Sequence, residues 1–118
     1  MSTRCQIGFY SEENSDLDNW EVLIYRHSSG YPDDVIGDIL PILKDFDENR
    51  GLSDLEYAGA WLVTKLKDNY LDIGISKDWH GDLAYYYAIC PKNIRVFSVN
   101  YPFEGKKSFS LINTISIK

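Results

Sequence analysis

The sequence predicts an α+β fold: a mainly antiparallel sheet of about six strands, in the order β-β-α-α-β-β-β-β, with two helices packed on one face. Three observations carry this expectation. Two stretches of period two open the chain, two stretches of helical period follow, and period two returns from residue 70 onward. Strand and helix patterns are thus segregated, with no β-α-β alternation to ask for a parallel sheet. The 118 residues, 44% hydrophobic and 25% charged, suit one globular domain spanning residues 1–118.

The first strand covers residues 3–10, where Cys5, Ile7 and Phe9 alternate with Arg4, Gln6, Gly8 and Tyr10. Residues 11–19, rich in Glu12, Glu13, Asp16 and Asp18, have no apolar period and read as an exposed loop. In the second strand, residues 20–27, Val22 and Ile24 oppose Leu23 and Tyr25. A polar loop between adjacent strands predicts an antiparallel hairpin. Gly30 then supplies a turn, and Pro32 takes the first helical position, where its missing N–H is harmless. Asp33 and Asp34 complement the positive end of that helix. Val35, Ile36, Ile39, Leu40, Ile42, Leu43 and Phe46 recur at helical spacing. Pro41 predicts a kink, because its ring crowds the carbonyl four residues back, at Gly37.

The second helix starts on a capping-box pattern, Ser53 with Glu56, and Leu52 stands at hydrophobic-staple spacing from Tyr57. Its buried face is Leu55, Ala58, Gly59, Leu62 and Leu66, with Tyr57 and Trp61 beside it. Lys65 and Lys67 sit at the end where cations are favourable. Leu71, Ile73 and Ile75 begin the returning strands. Leu83, Tyr85, Tyr87 and Ile89 then alternate with Ala84, Tyr86, Ala88 and Cys90. Residues 94–99 form a further strand and residues 101–107 a loop. The last strand sets Phe109, Leu111, Ile115 and Ile117 against Ser108, Ser110, Thr114 and Ser116. So regular an end strand leaves an edge-to-edge homodimer open.

The formal net charge is −6, unevenly spread: residues 1–56 hold 13 acids and 4 bases, residues 57–118 hold 5 acids and 8 bases. An acidic half repels a phosphate backbone, so duplex nucleic acid is a disfavoured partner. The plainer meaning of the acids is a solvated surface. No apolar run approaches the ~18 residues of a membrane span, and residues 1–6 hold no signal-peptide core. The expectation is a soluble cytoplasmic protein with no membrane partner. Cys5 and Cys90 sit in strand-like contexts and read as buried, reduced thiols. With no Cys-x-x-Cys pair, neither a zinc site nor another cofactor is expected.

Chemistry-bearing residues concentrate in two stretches, Tyr-Arg-His-Ser-Ser-Gly-Tyr-Pro at 25–32 and Asp-Trp-His-Gly-Asp at 78–82. Each holds one of the two histidines. His27 and His80 are the candidate catalytic residues, since imidazole suits acid–base work near neutral pH. Asp82 is a candidate to orient the His80 ring. Tyr25, Arg26, Tyr31 and Asp82 are candidate binding residues that hold a proton or a charge. The plainer alternative makes each histidine a hydrogen-bonding part of its turn. A His/carboxylate metal site would draw on Asp33, Asp34, Asp78 or Asp82, but acids at helix starts and turns ordinarily act as caps, and no metal is expected. No glycine-rich phosphate loop is present. Tyr85, Tyr86 and Tyr87 divide between the two sheet faces, where packing competes with base or partner stacking as their role.

Thr3-Arg4-Cys5, Ile24-Tyr25-Arg26-His27 with Gly30-Tyr31-Pro32, Glu56-Tyr57-Ala58, and His80-Gly81-Asp82-Leu83 with Tyr85 and Tyr87 follow one another in that order. Through about residue 100 the chain resembles a family of small uncharacterised proteins of phages, prophages, archaea and bacteria. The resemblance implies no activity. It implies that the Gly-Tyr-Pro and His-Gly-Asp turns belong to one design, and that Asp often stands where this chain has Ser29. The leading functional expectation is a cytoplasmic accessory protein of mobile-element origin that binds an unidentified protein partner. The second is a small hydrolase, of phosphodiesters or esters, which requires His27 and His80 to meet. The third is an acidic nucleic-acid mimic, which requires the carboxylates of residues 12–56 to share one surface.

Overall fold

A computed structural model describes residues 3–13, 16–68, 72–103 and 106–117. The elements are β1 (Cys5–Phe9), β2 (Val22–Arg26), α1 (Pro32–Asn49), α2 (Leu55–Lys67), β3 (Ile73–Ile75), β4 (Tyr85–Ile89), β5 (Asn93–Phe103) and β6 (Lys106–Ser116). The α+β class and the order of elements are those the changes of period predict. Leu71, expected to open β3, lies outside the described residues.

The sheet is mixed, which corrects the expectation of a mainly antiparallel one. Its strand order is β3-β2-β1-β4-β5-β6. β1 and β4 run parallel at its centre, Cys5 opposite Tyr85 and Phe9 opposite Ile89. The other pairings are antiparallel. Two helices and β3 separate β2 from β4, enough chain to bring β4 to the free side of β1 in the same direction as β1. Alternation of side chains reports faces and says nothing of direction. A parallel pair belongs in a sheet interior, and all five residues of β1 are buried.

One buried cluster joins Val35, Ile39, Leu43, Leu55, Leu62 and Leu66 of the helices to Cys5, Ile7, Phe9, Ile24, Tyr87 and Ile89 of the strands. A second holds Tyr10, Leu23, Leu83, Tyr86, Phe97 and Val99, with Trp20, Trp79 and Phe109 packed against it. Alternation along β4 therefore sends Tyr87 to the first cluster and Tyr86 to the second. Leu83, expected on the face of Tyr87, joins Tyr86 because it precedes the strand and escapes its alternation. α2 approaches β2 closely at Gly59, where an added Cβ would stand 2.9 Å from Val22 Cγ1.

α1 includes Pro41 within its span. Several local expectations change. At Gly37 an added Cβ would meet no neighbouring element, so packing does not require the glycine there. The capping box does not form: Asp54 is the N-cap of α2, with no side-chain cap bond, and its carboxylate is held by Arg50 at 3.2 Å. Of the two staple residues, Leu52 is buried and Tyr57 is 56% exposed.

The loop expected over 101–107 is largely strand, because β5 continues to Phe103 and β6 begins at Lys106. Val96 pairs with Asn113 but Phe97 with Leu111, a register shift that leaves Ile112 as a bulge. The bulge breaks the single alternation read over 108–117. Ile115 packs against the cluster that includes the helices, and Phe109 against the other. Leu111 and Ile112 are left 55% and 52% exposed on this edge strand. Among the described residues, no helix is long and apolar enough to cross a membrane.

Candidate functional site

β2 ends at Arg26, and the chain turns through residues 27–31 into α1. The positive φ of this turn, 55°, belongs to Ser29 and not to Gly30, the residue expected to make it. Gly30 is needed for space. An added Cβ would stand 2.6 Å from Thr3 O. The Gly30 N–H donates to that same oxygen at 2.9 Å, and the Gly30 carbonyl accepts from Tyr87 Oη at 2.6 Å. The turn is thereby clamped to the start of β1. His27 is fixed from the other side, its N–H donating to Asp72 O at 3.1 Å, while the Ser28 hydroxyl donates to the Asp72 carboxylate.

β1 then connects this turn to the second histidine. Gln6 is wholly buried, and a buried amide needs partners for both its ends. It finds them in the loop before β4: Gln6 Oε1 accepts the His80 N–H at 3.0 Å, and Nε2 donates to Asp78 O at 3.1 Å. The Ala84 N–H donates to Arg4 O at 2.9 Å, closing the loop onto β1. Held in this way, the His80 imidazole stacks on the Tyr25 ring with centroids 3.8 Å apart and planes 8° from parallel. Tyr25 Oη lies 2.8 Å from His27 Nδ1. Both histidines therefore meet on one tyrosine.

Arg4 completes the cluster. Its Nε donates to His27 Nδ1 at 3.3 Å, and its Nη1 pairs with Asp82 Oδ2 at 3.1 Å. A guanidinium can only donate, so His27 Nδ1 accepts and the imidazole proton sits on Nε2. Tyr25 Oη must then donate as well. Burial, reinforced by the Asp82 carboxylate and opposed by Arg4, raises the Tyr25 hydroxyl above the ordinary phenol value, so it keeps the proton it donates. The cluster lies at the surface: the Arg4 and Asp82 side chains are 34% and 53% exposed, His27 is exposed and His80 half-buried. Tyr101 flanks it, donating to Leu83 O at 3.1 Å.

Of the residues singled out from the sequence, His27, His80, Tyr25 and Asp82 come together. Arg26 and Tyr31 do not join them. Arg26 is wholly buried, its Nη2 2.9 Å from Asp38 Oδ2 of α1 and its Nε donating to Ser28 O at 3.0 Å. Tyr31 is exposed beside Tyr85, ring centroids 6.0 Å apart. Asp82 engages Arg4. Sequence reasoning gave no role to Arg4 or Gln6, which looked like the outward face of a strand. Gln6 becomes informative only once the loop before β4 meets it, because a buried amide must then be satisfied. Among the described residues, no three His, Cys, Asp or Glu side chains converge as a metal site. Compared with known proteins, the chain matches no protein-family model, no curated protein and no solved structure.

Proposed function

We propose that the protein is a small hydrolase of phosphodiesters working at the His27–Tyr25–His80 cluster. The observation that carries this is the meeting of both imidazoles on Tyr25, one by stacking and one by a hydrogen bond. A proton-transfer group and charge-stabilising donors then reach one reacting phosphorus. Hydrogen bonding separates the two roles. His27 Nδ1 is occupied, so this ring offers its Nε2–H to a phosphoryl oxygen and is a donor. Arg4 adds positive charge beside it. His80 is held through its backbone N–H and by ring stacking, which leaves its imidazole for proton transfer. As a water oxygen bonds to phosphorus, His80 takes the water's proton. When the ester P–O bond breaks, the imidazolium returns a proton to the leaving alkoxide.

Bis(4-nitrophenyl) phosphate is a suitable probe. The chain is expected to release 4-nitrophenolate, and His80→Ala to lower kcat by about 10²-fold or more, the usual contribution of a general base. His27→Ala is expected to raise KM. A wild-type rate no greater than that of His80→Ala purified in parallel overturns the proposal.

A different region supports a second reading, the accessory protein of mobile-element origin that binds another protein in the cytoplasm. A groove of about 430 Å³ along α1 and α2 is lined by Phe46, Arg50, Tyr57, Trp61 and Lys65. Arg50 lies 4.1 Å over the Tyr57 ring, and Lys65 Nζ 5.4 Å from the Trp61 ring. Exposed aromatic and arginine side chains are the common anchors of protein interfaces. Capture of a partner that Trp61→Ala loses and His80→Ala keeps supports this reading; capture unaffected by Trp61→Ala sinks it. A nucleic-acid mimic has less support, because carboxylates of residues 12–56 are engaged one by one. Asp38 holds Arg26, Asp54 holds Arg50, Asp18 accepts from Trp79 Nε1 and Asp47 from the Leu52 N–H.

A further inference from the structure

We infer that Asp82 stands in for the substrate's phosphate, closing an anion subsite on Arg4 that a phosphodiester opens by taking its place. The inference rests on the hydrolase reading for its location, and it narrows the substrate to anionic esters. Three features support it. The Arg4–Asp82 pair is part-exposed on both sides, and exposed ion pairs are weak enough for another anion to exchange into them. Arg4 is anchored independently of Asp82, by its Nε on His27 and by the Ala84 N–H on its carbonyl. The guanidinium therefore keeps one contact, its Nε on His27, when the carboxylate leaves. Next to Asp82, an added Cβ at Gly81 would meet nothing within 4 Å, so there is open space beside Gly81 in the turn that must move.

The position of the exchanged oxygen gives the subsite its meaning. A phosphoryl oxygen on Arg4 Nη1 lies on the same guanidinium whose Nε holds His27, and His27 shares Tyr25 with His80. Binding there delivers the ester to the proton-transfer group. A neutral ester has no charge with which to displace a carboxylate from a guanidinium, whereas the two oxygens of a diester anion match its fork. Asp82 is thus a specificity-determining residue that turns away neutral carboxyl esters.

Dimethyl phosphate, an anionic diester, and trimethyl phosphate, its neutral counterpart, separate these statements. Their binding is read from the imidazole Cε1–H resonances of His27 and His80 at constant salt. Dimethyl phosphate is expected to shift both resonances, with affinity about five-fold higher in Asp82→Asn, the order of one exposed ion pair. Arg4→Gln is expected to abolish the shifts, and Arg4→Lys, which keeps the charge and loses the fork, to weaken them. Equal affinity in wild type and Asp82→Asn overturns the subsite, as does an equal response to trimethyl phosphate. Because this readout needs no turnover, it fails separately from the hydrolase reading. A chain that binds the diester in this pattern without cleaving the chromogenic probe keeps the subsite. A chain that cleaves the probe with Asp82→Asn unaltered in dimethyl phosphate affinity loses it.

Discussion

At the scale of single residues, Ser29 and Gly30 have opposite needs although they are adjacent. Ser29 occupies the left-handed region at φ 55°, where an L-residue pays about 1–2 kcal/mol and only glycine, asparagine and aspartate are at ease. Gly30 has no such conformation, but its missing Cβ admits the Thr3 carbonyl. Ser29→Gly is therefore expected to stabilise the chain by about 0.5–1 kcal/mol, the left-handed strain relieved less the added backbone entropy. Gly30→Ala is expected to destabilise it by about 1–3 kcal/mol, as overpacking against backbone does. Urea midpoints of the two variants, moving in opposite directions from wild type, check this.

At the scale of elements, the helices were legible because each buries one stripe. Val35, Ile39, Leu43 and Phe46 of α1, and Leu55, Ala58, Leu62 and Leu66 of α2, are buried as their spacing requires. The sheet was legible in its strands but not in its direction, since Ile7 and Tyr87 alternate in the same manner whether β1 and β4 run parallel or antiparallel. The site was half legible. His27 and His80 stand out by residue type, but His80 is held by the buried Gln6, whose partners lie in the loop before β4, far from it in sequence. The bulge at Ile112 was hidden, because Leu111-Ile112-Asn113 contains no glycine or proline to mark it. Deleting Ile112 tests its role. Without the extra residue a single register runs through β6, and either Phe109 or Ile115 must leave the cluster it packs against. The expected loss is about 2–4 kcal/mol, the range for removing a large apolar side chain from a core, and a urea midpoint equal to wild type would show that the bulge does not set the facing.

At the scale of the whole molecule, the two buried clusters share one chemical property: each holds ionisable groups that burial keeps neutral. Beside the helices, burial pushes the Cys5 thiol from 9.0 up to about 12, with Arg26 opposing, and raises the Tyr87 hydroxyl. Across the sheet, burial pushes Tyr10 from 10.0 up to about 12 and Tyr86 upward as well. Gly8 leaves room for the Tyr86 hydroxyl, which donates to Tyr10, while Tyr10 Oη donates to Leu17 O at 2.6 Å. Deprotonating either tyrosine removes a donor from this chain. For such groups the folded state holds a proton that the unfolded state releases at its ordinary value, so stability falls as pH rises between the two. The contribution is complete below about pH 9 and is lost from there through about pH 12, beginning with Cys5 and joined by Tyr10 near pH 10. Urea midpoints measured from pH 7 to 11 should stay level up to about pH 8.5 and then decline. Cys5→Ala should flatten the first part of that decline and leave the later, tyrosine-driven part in place. A midpoint unchanged through pH 11 would mean that water reaches these groups in the folded chain, and that neither cluster is sealed.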